Sequence, residues 1–280
     1  MPSSLPNNTS HSAGFTLVEV LVISPIIIAA ITIFIGAMIA LSTDVVKTEA
    51  DNRMVYNVQD ALTTIEQDIR LSANFLAGNE FSASSPLGYS DGAAGINSFT
   101  NNGTNGEMLI LRGVTTDKNP LDPSRKLVYR DEVGCTEAQK IVSNFYYVNI
   151  IYFTKSNGSG GKTLWRRVLA PGGSTCDTPW QKSSCSPTVT KGTACQVNDI
   201  KIAENVQDFS IDYYYNASDG AAVADAKNTS LSVTNRNTML RSISAVRVNL
   251  TTQQTFSGDA VSHTGRIVSS RMNIPYEAIE

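Results

Sequence analysis

The stretch FTLVEVLVISPIIIAAITIFIGAMIAL, residues Phe15–Leu41, carries one charge, Glu19. As a helix rising about 1.5 Å per residue it is long enough to cross a hydrocarbon core of about 30 Å. No Lys or Arg precedes Lys47, and the residues before Phe15 are polar and rich in Ser, Asn and Pro. Three readings compete. A removable secretory signal finds a small-x-small site at Ala40-Leu41-Ser42, but the apolar run exceeds the usual ~7–15 residues and lacks a basic flank. A plain anchor explains the length but not Glu19, since a carboxylate costs about 2.5–3.5 kcal/mol at the bilayer centre and less near a helix end. A spanning helix whose acid is functional accounts for both the length and Glu19.

Beyond the apolar run the helical period continues. Ala50, Met54, Val58, Ala61, Leu62, Ile65, Ile69 and Ala73 form a stripe at i, i+3/i+4 spacing, and charged residues fall mostly elsewhere. No Gly or Pro interrupts Ala37 to Ala77, and Gly78-Asn79 supplies a stop. The spacing predicts one helix from Phe15 to Ala77, whose outer half packs on a sheet. A soluble protein cut after Ser42 would begin inside that helix.

The motif Gly14-Phe15-Thr16-Leu17-Val18-Glu19 at the head of the apolar helix resembles the processing site of type IV pilins and type II secretion pseudopilins. The resemblance covers the first tenth of the chain, and its fixed Gly, Phe and Glu spacing is specific. It implies cleavage after Gly14 by a prepilin peptidase and an N-methylated Phe15 at the new terminus. Glu19 would then set register by pairing with a neighbour's terminal amine, because an ion pair inside an apolar bundle cancels two charges that are each expensive alone. Leu17, Val20, Leu21, Ile26, Ile31 and Phe34 would face lipid first and neighbouring helices later. The leader's lack of Lys and Arg, and the early Ser24-Pro25 break, depart from the usual family pattern.

The rest of the chain reads as a β-rich head. Residues 78–106 are rich in Gly, Asn, Ser and Ala and read as a long exposed loop. Strand signals follow at Met108–Leu111, Leu127–Tyr129, Phe145–Phe153 and Thr163–Leu169, with Asn157–Gly161 as a hairpin turn between the last two. Further strands are expected at Ile202–Tyr215, Ile243–Leu250 and Arg266–Ile274, with polar loops at 171–199 and 216–236. The four cysteines, Cys135, Cys176, Cys185 and Cys195, include no C-x-x-C pair. Their even number behind an export-like segment reads as two disulfides in any of three pairings, with free thiols as the other reading. The order of the strands, with Leu164-Trp165-Arg166-Arg167 on the hairpin, loosely resembles the larger minor pilins and pseudopilins.

The expected fold is therefore α+β, a long N-terminal helix on an antiparallel sheet head with long loops. Its segments are a leader (1–14), a membrane or filament-core helix (15–41), an amphipathic continuation (42–77) and an extracytoplasmic head (78–280). The family resemblance implies a single-pass inner-membrane protein that enters a periplasmic or extracellular filament. Its partners would be the prepilin peptidase, other pilin or pseudopilin subunits, the assembly platform and ATPase machinery, and a surface, DNA or secreted cargo met by the head. The alternative is an anchored adhesin or binding module that never polymerises.

Enzyme chemistry finds no constellation. His263 has no G-x-S-x-G partner and reads as a surface-loop residue, and no P-loop, dinucleotide fingerprint, cofactor motif or metal-ligand spacing occurs. A net charge of −3 argues against bulk nucleic-acid binding. Lys162, Trp165, Arg166 and Arg167 leave a local nucleic-acid patch open, and Tyr213-Tyr214-Tyr215 an adhesive one.

Overall fold

The computed structural model describes residues 16–81, 99–101, 107–132, 134–141, 144–158, 161–192, 195–256 and 259–271. Two compact units divide the chain, residues 1–50 and 51–280. The first is the apolar part of helix α1 (Leu17–Arg70), and the second contains the rest of that helix and the sheet.

The fold is α+β, with a curled antiparallel seven-stranded sheet. In chain order the strands are β1 (Ser72–Leu76), β2 (Leu109–Val114), β3 (Tyr147–Ser156), β4 (Lys162–Leu169), the short β5 (Ser184–Cys185) and β6 (Val197–Asn198), β7 (Ile200–Tyr214), β8 (Ala245–Phe256) and β9 (Asp259–Ser270). The main sheet runs β1-β2-β3-β4-β7-β8-β9, while β5 and β6 form a separate parallel pair. Curling brings its first and last strands together at one corner, where Arg271, just past β9, donates to the Ala73 carbonyl of β1 at 2.8 Å.

Within the second unit, α1 buries Met54, Val58, Ala61, Leu62, Ile65, Asp68 and Ile69, the stripe its spacing predicts with one carboxylate added. This face meets Leu111, Val148, Ile150, Tyr152, Leu164, Ile211, Val248 and Leu250 in the main core. Side chains alternate across a strand, so the other face of the same strands carries Ile110, Ile151 and Phe153 into a second core with Phe99, Met108 and the Cys185–Cys195 pair. Burial on both faces explains why β3 reads as a nearly continuous apolar run.

Three expectations are corrected here. The helix ends at Arg70 and not at Ala77: Ser72 Oγ caps the Ile69 carbonyl at 2.7 Å and the chain turns into β1. Ala73, which continues the helical stripe in the sequence, is buried as a strand residue instead. Leu127–Tyr129 makes isolated bridges to Thr116 and Phe145 and no strand. The segment 216–236 is not all loop, because Ala224–Lys227 forms a 3-10 turn and Val233 starts α2 (Val233–Ser242). Ser232 caps α2 by accepting from the Asn235 N–H at 3.2 Å. The helix then covers the outer edge of β1, where Asn237 Oδ1 accepts from the Ala77 N–H at 2.7 Å.

The hairpin expected at Asn157–Gly161 is present. Ser156 pairs with Lys162, the Asn157 N–H reaches the Gly161 carbonyl at 3.0 Å, and Gly158 adopts φ 78°, a conformation that favours glycine. The expected last strand runs earlier in the chain, Asp259–Ser270, and residues 272–274 of that expectation lie outside the described residues. Most of the expected loop at 78–106 also lies outside them, but its described ends are not exposed coil. Gly78 bridges Thr100, and Phe99 is buried.

Candidate functional site

Gly14 and Phe15 lie outside the described residues; the site is legible from Thr16 onward. Thr16 stands one residue ahead of α1, and Thr16-Leu17-Val18-Glu19 closes a reciprocal capping box. The Thr16 hydroxyl accepts from the Glu19 N–H at 3.3 Å, while Glu19 Oε2 accepts from the Thr16 N–H at 2.9 Å and from its hydroxyl at 2.9 Å. The carboxylate is thereby held at the first turn, where the helix dipole favours negative charge.

From residue 16 to residue 46 every side chain is exposed. Leu17, Val20, Leu21, Ile26, Ile31 and Phe34 are all more than half exposed, so among the described residues nothing covers this apolar surface. The polar groups inside this segment are satisfied locally: Ser24 Oγ donates to the Val20 carbonyl at 2.6 Å and Thr32 Oγ1 to the Ile28 carbonyl at 2.8 Å. Such back-bonding is what a lipid-facing hydroxyl requires. The helix continues through Pro25. The segment is a single N-terminal helix long and apolar enough to cross a membrane.

In the second unit the arginines of β4 have structural partners. Arg167 is fully buried and pairs with the buried Asp199, Nη2 to Oδ2 at 2.5 Å and Nε to Oδ1 at 3.0 Å. Ser184 Oγ donates to the same carboxylate at 2.8 Å and accepts from the Val168 N–H at 2.9 Å, pinning β5 to β4. Arg166 holds Asp68 of α1, whose Oδ2 also accepts from the Tyr152 hydroxyl at 2.5 Å. Burial alone would lower the Arg166 pKa, but the Asp68 charge outweighs it and raises the group above the ordinary guanidinium range. Burial, reinforced by Asp68, holds Tyr152 neutral well above the usual phenol range.

These pairs dismantle the nucleic-acid patch. Both arginines are spent inside the protein, and Trp165 packs against the second core; Lys162 alone of the four is exposed. The tyrosine patch fails similarly, since Tyr213 and Tyr214 are buried and only Tyr215 is exposed. His263 is half-buried on β9 opposite Thr252, not in a loop.

The four cysteines form two disulfides, Cys135–Cys176 and Cys185–Cys195. Asp131 lies beside the first, but its two sulfurs are committed to each other and offer no thiolate. Sequence reasoning missed Asp68, Tyr152, Asp199 and Ser184, because an ion pair between distant segments leaves no local period. Asp68 alone carried a signal, as an acid between Ile65 and Ile69 on the apolar stripe.

Compared with models of protein families, with curated proteins and with solved structures, the chain matches none. A long N-terminal apolar helix, an antiparallel sheet and disulfides in its connecting segments are together compatible with a pilin-like fold.

Proposed function

We propose that this chain is a minor pilin or pseudopilin. A prepilin peptidase cuts it after Gly14, Phe15 is N-methylated, and the subunit moves from the membrane into a type IV pilus or type II secretion pseudopilus. The reading rests on one observation: a Thr16–Glu19 capping box opens an apolar helical stretch exposed from residue 16 to residue 46, in frame with Gly14-Phe15. An uncovered apolar surface of that length needs lipid or other helices around it. In the bilayer Leu17–Leu41 meets acyl chains; in the filament the same surface meets equivalent helices of neighbouring subunits, and Glu19 selects their register.

The two disulfides suit a head that folds outside the cytoplasm. Its size suits a place at or near the filament tip, where it initiates assembly or contacts a surface, DNA or cargo. The experiment is mass spectrometry of the mature N-terminus from the native membrane or filament. N-methylated Phe15 is expected. A chain beginning at Met1 would make this a permanent anchor, one beginning at Thr43 a secreted protein, and either overturns the proposal.

A further inference from the structure

A cleft of about 330 Å³ opens in the second unit beside the last turns of α1, a size within the range of small-molecule sites. Trp180 stands at it with 54% of its surface exposed, uncommon for so large an apolar side chain. The indole is carried on anchored backbone. The Trp180 N–H donates to the Thr116 carbonyl at 2.7 Å, and the neighbouring Gln181 side chain is bound to Thr116 at its N–H (3.0 Å) and at its hydroxyl (3.3 Å). Below the cleft, Arg167–Asp199–Ser184 fixes β5 to β4, and the Cys185–Cys195 disulfide closes the segment that follows. The platform is therefore built before any ligand arrives, which lowers the ordering cost of binding.

The chemistry of the lining selects the ligand. Asp68 and Arg166 border the cleft but neutralise each other, and Lys182 adds one exposed cation, so the site does not demand a charged ligand. The amides of Gln67, Asn119 and Asn198 also line it. Each primary amide is both donor and acceptor, which matches a hydroxyl group and wastes itself on a hydrocarbon. Asn119 Oδ1 is tied to the Leu121 N–H at 2.9 Å, so its NH2 is the group it offers. An exposed indole flanked by amides suits a pyranose ring, whose C–H face packs on the aromatic plane while its hydroxyls bond at the rim.

We propose that this cleft binds a neutral saccharide, with Trp180 as the stacking platform and Asn198 and Gln67 as hydroxyl partners. The site lies wholly in the second unit and does not depend on how the N-terminus is processed.

The test uses the full chain in a zwitterionic detergent, since sugar-headed detergents would compete. The fluorescently labelled protein is applied to an array of immobilised neutral and acidic glycans, and the best ligand is titrated while tryptophan emission is read. Only Trp165 and Trp180 emit, and Trp165→Phe separates them. Saturable binding of a neutral glycan is expected, retained in Trp165→Phe, weakened about tenfold in Asn198→Ala and lost in Trp180→Ala. Trp180→Phe should keep part of it, a rescue that separates stacking from a folding defect. Three results overturn the proposal: no neutral glycan bound, binding that survives Trp180→Ala, or Trp180 emission that responds only to another protein chain. None of them alters the N-terminal mass.

Discussion

Arg166 grips Asp68 at both carboxylate oxygens, Nε to Oδ2 at 2.6 Å and Nη2 to Oδ1 at 3.1 Å, across an interface where both side chains are nearly dry. The pair ties the end of α1 to the middle of the sheet. Removing one partner of a buried pair strands the other, so Asp68→Ala should cost about 3–5 kcal/mol of head stability. Replacing the whole cluster, as Asp68→Leu with Arg166→Met and Tyr152→Phe so that no buried hydroxyl is orphaned, should recover most of that loss. Chemical denaturation of the two variants beside the parent chain reads both outcomes.

Tyr152 gives the same junction a pH signature. Its phenol donates to Asp68 and is held neutral by burial and by that negative charge, so its folded pKa lies well above the unfolded value of about 10. A raised folded pKa contributes stability that is complete below about pH 10, where the unfolded phenol is also protonated. That contribution is lost as pH rises through the folded value. The head should therefore melt at a nearly constant temperature between pH 7 and about 9 and progressively lower beyond about 10. Tyr152→Phe should be less stable at neutral pH by about 1–3 kcal/mol and should show a shallower alkaline decline.

Gly265 sets how closely β9 approaches the helix. A Cβ placed there would sit 2.5 Å from Val58 Cγ1 and 2.6 Å from Leu62 Cδ1. Both neighbours are buried core residues with little room to give, so Gly265→Ala should destabilise the head by about 1–3 kcal/mol. Gly220, with nothing within 4 Å of an added Cβ, is the control, and Gly220→Ala should stay within about 0.5 kcal/mol.

The two disulfides should reduce in order. Cys135 is exposed and Cys176 half-buried, whereas Cys185 and Cys195 are buried in the second core beside Phe99, Ile151 and Phe153. Attack requires a thiolate to reach sulfur, so access decides the rate. Stepwise reduction with alkylation and peptide mapping should label Cys135 and Cys176 first. Equal labelling at all four would show that the second core opens as readily as the first loop.

The fold class was legible because its two halves have different periods. An unbroken apolar run followed by a stripe at Val58, Leu62, Ile65 and Ile69 can only be a long helix with one covered face, and alternation in Phe209–Tyr213 and Ala245–Leu250 marks strands. What escaped the sequence was decided by tertiary contact. Ser72–Leu76 contains no residue that breaks a helix, and only the edge of β2 and the covering α2 make it a strand. Helix α2 was hidden because its buried residues are Arg236 and Leu240, and an arginine does not read as core until Asn101 is seen beside it. Basic Arg166-Arg167 invites a surface reading for the same reason.

Glu19 caps the helix, and the proposed function would give it a second role that a single pair of substitutions separates. As a cap it needs only an acceptor at the third helical position, and a glutamine serves a capping box as well as a glutamate does. In the proposed filament it would need a negative charge to meet a neighbour's terminal amine, which glutamine cannot supply. Glu19→Gln should therefore keep the helix content of the chain in detergent while failing to enter filaments, and Glu19→Ala should fail in both respects. Circular dichroism of the purified variants and immunoblotting of sheared filaments give the two readouts. A Glu19→Gln subunit recovered in filaments at the parental level would leave capping as the whole function of this carboxylate.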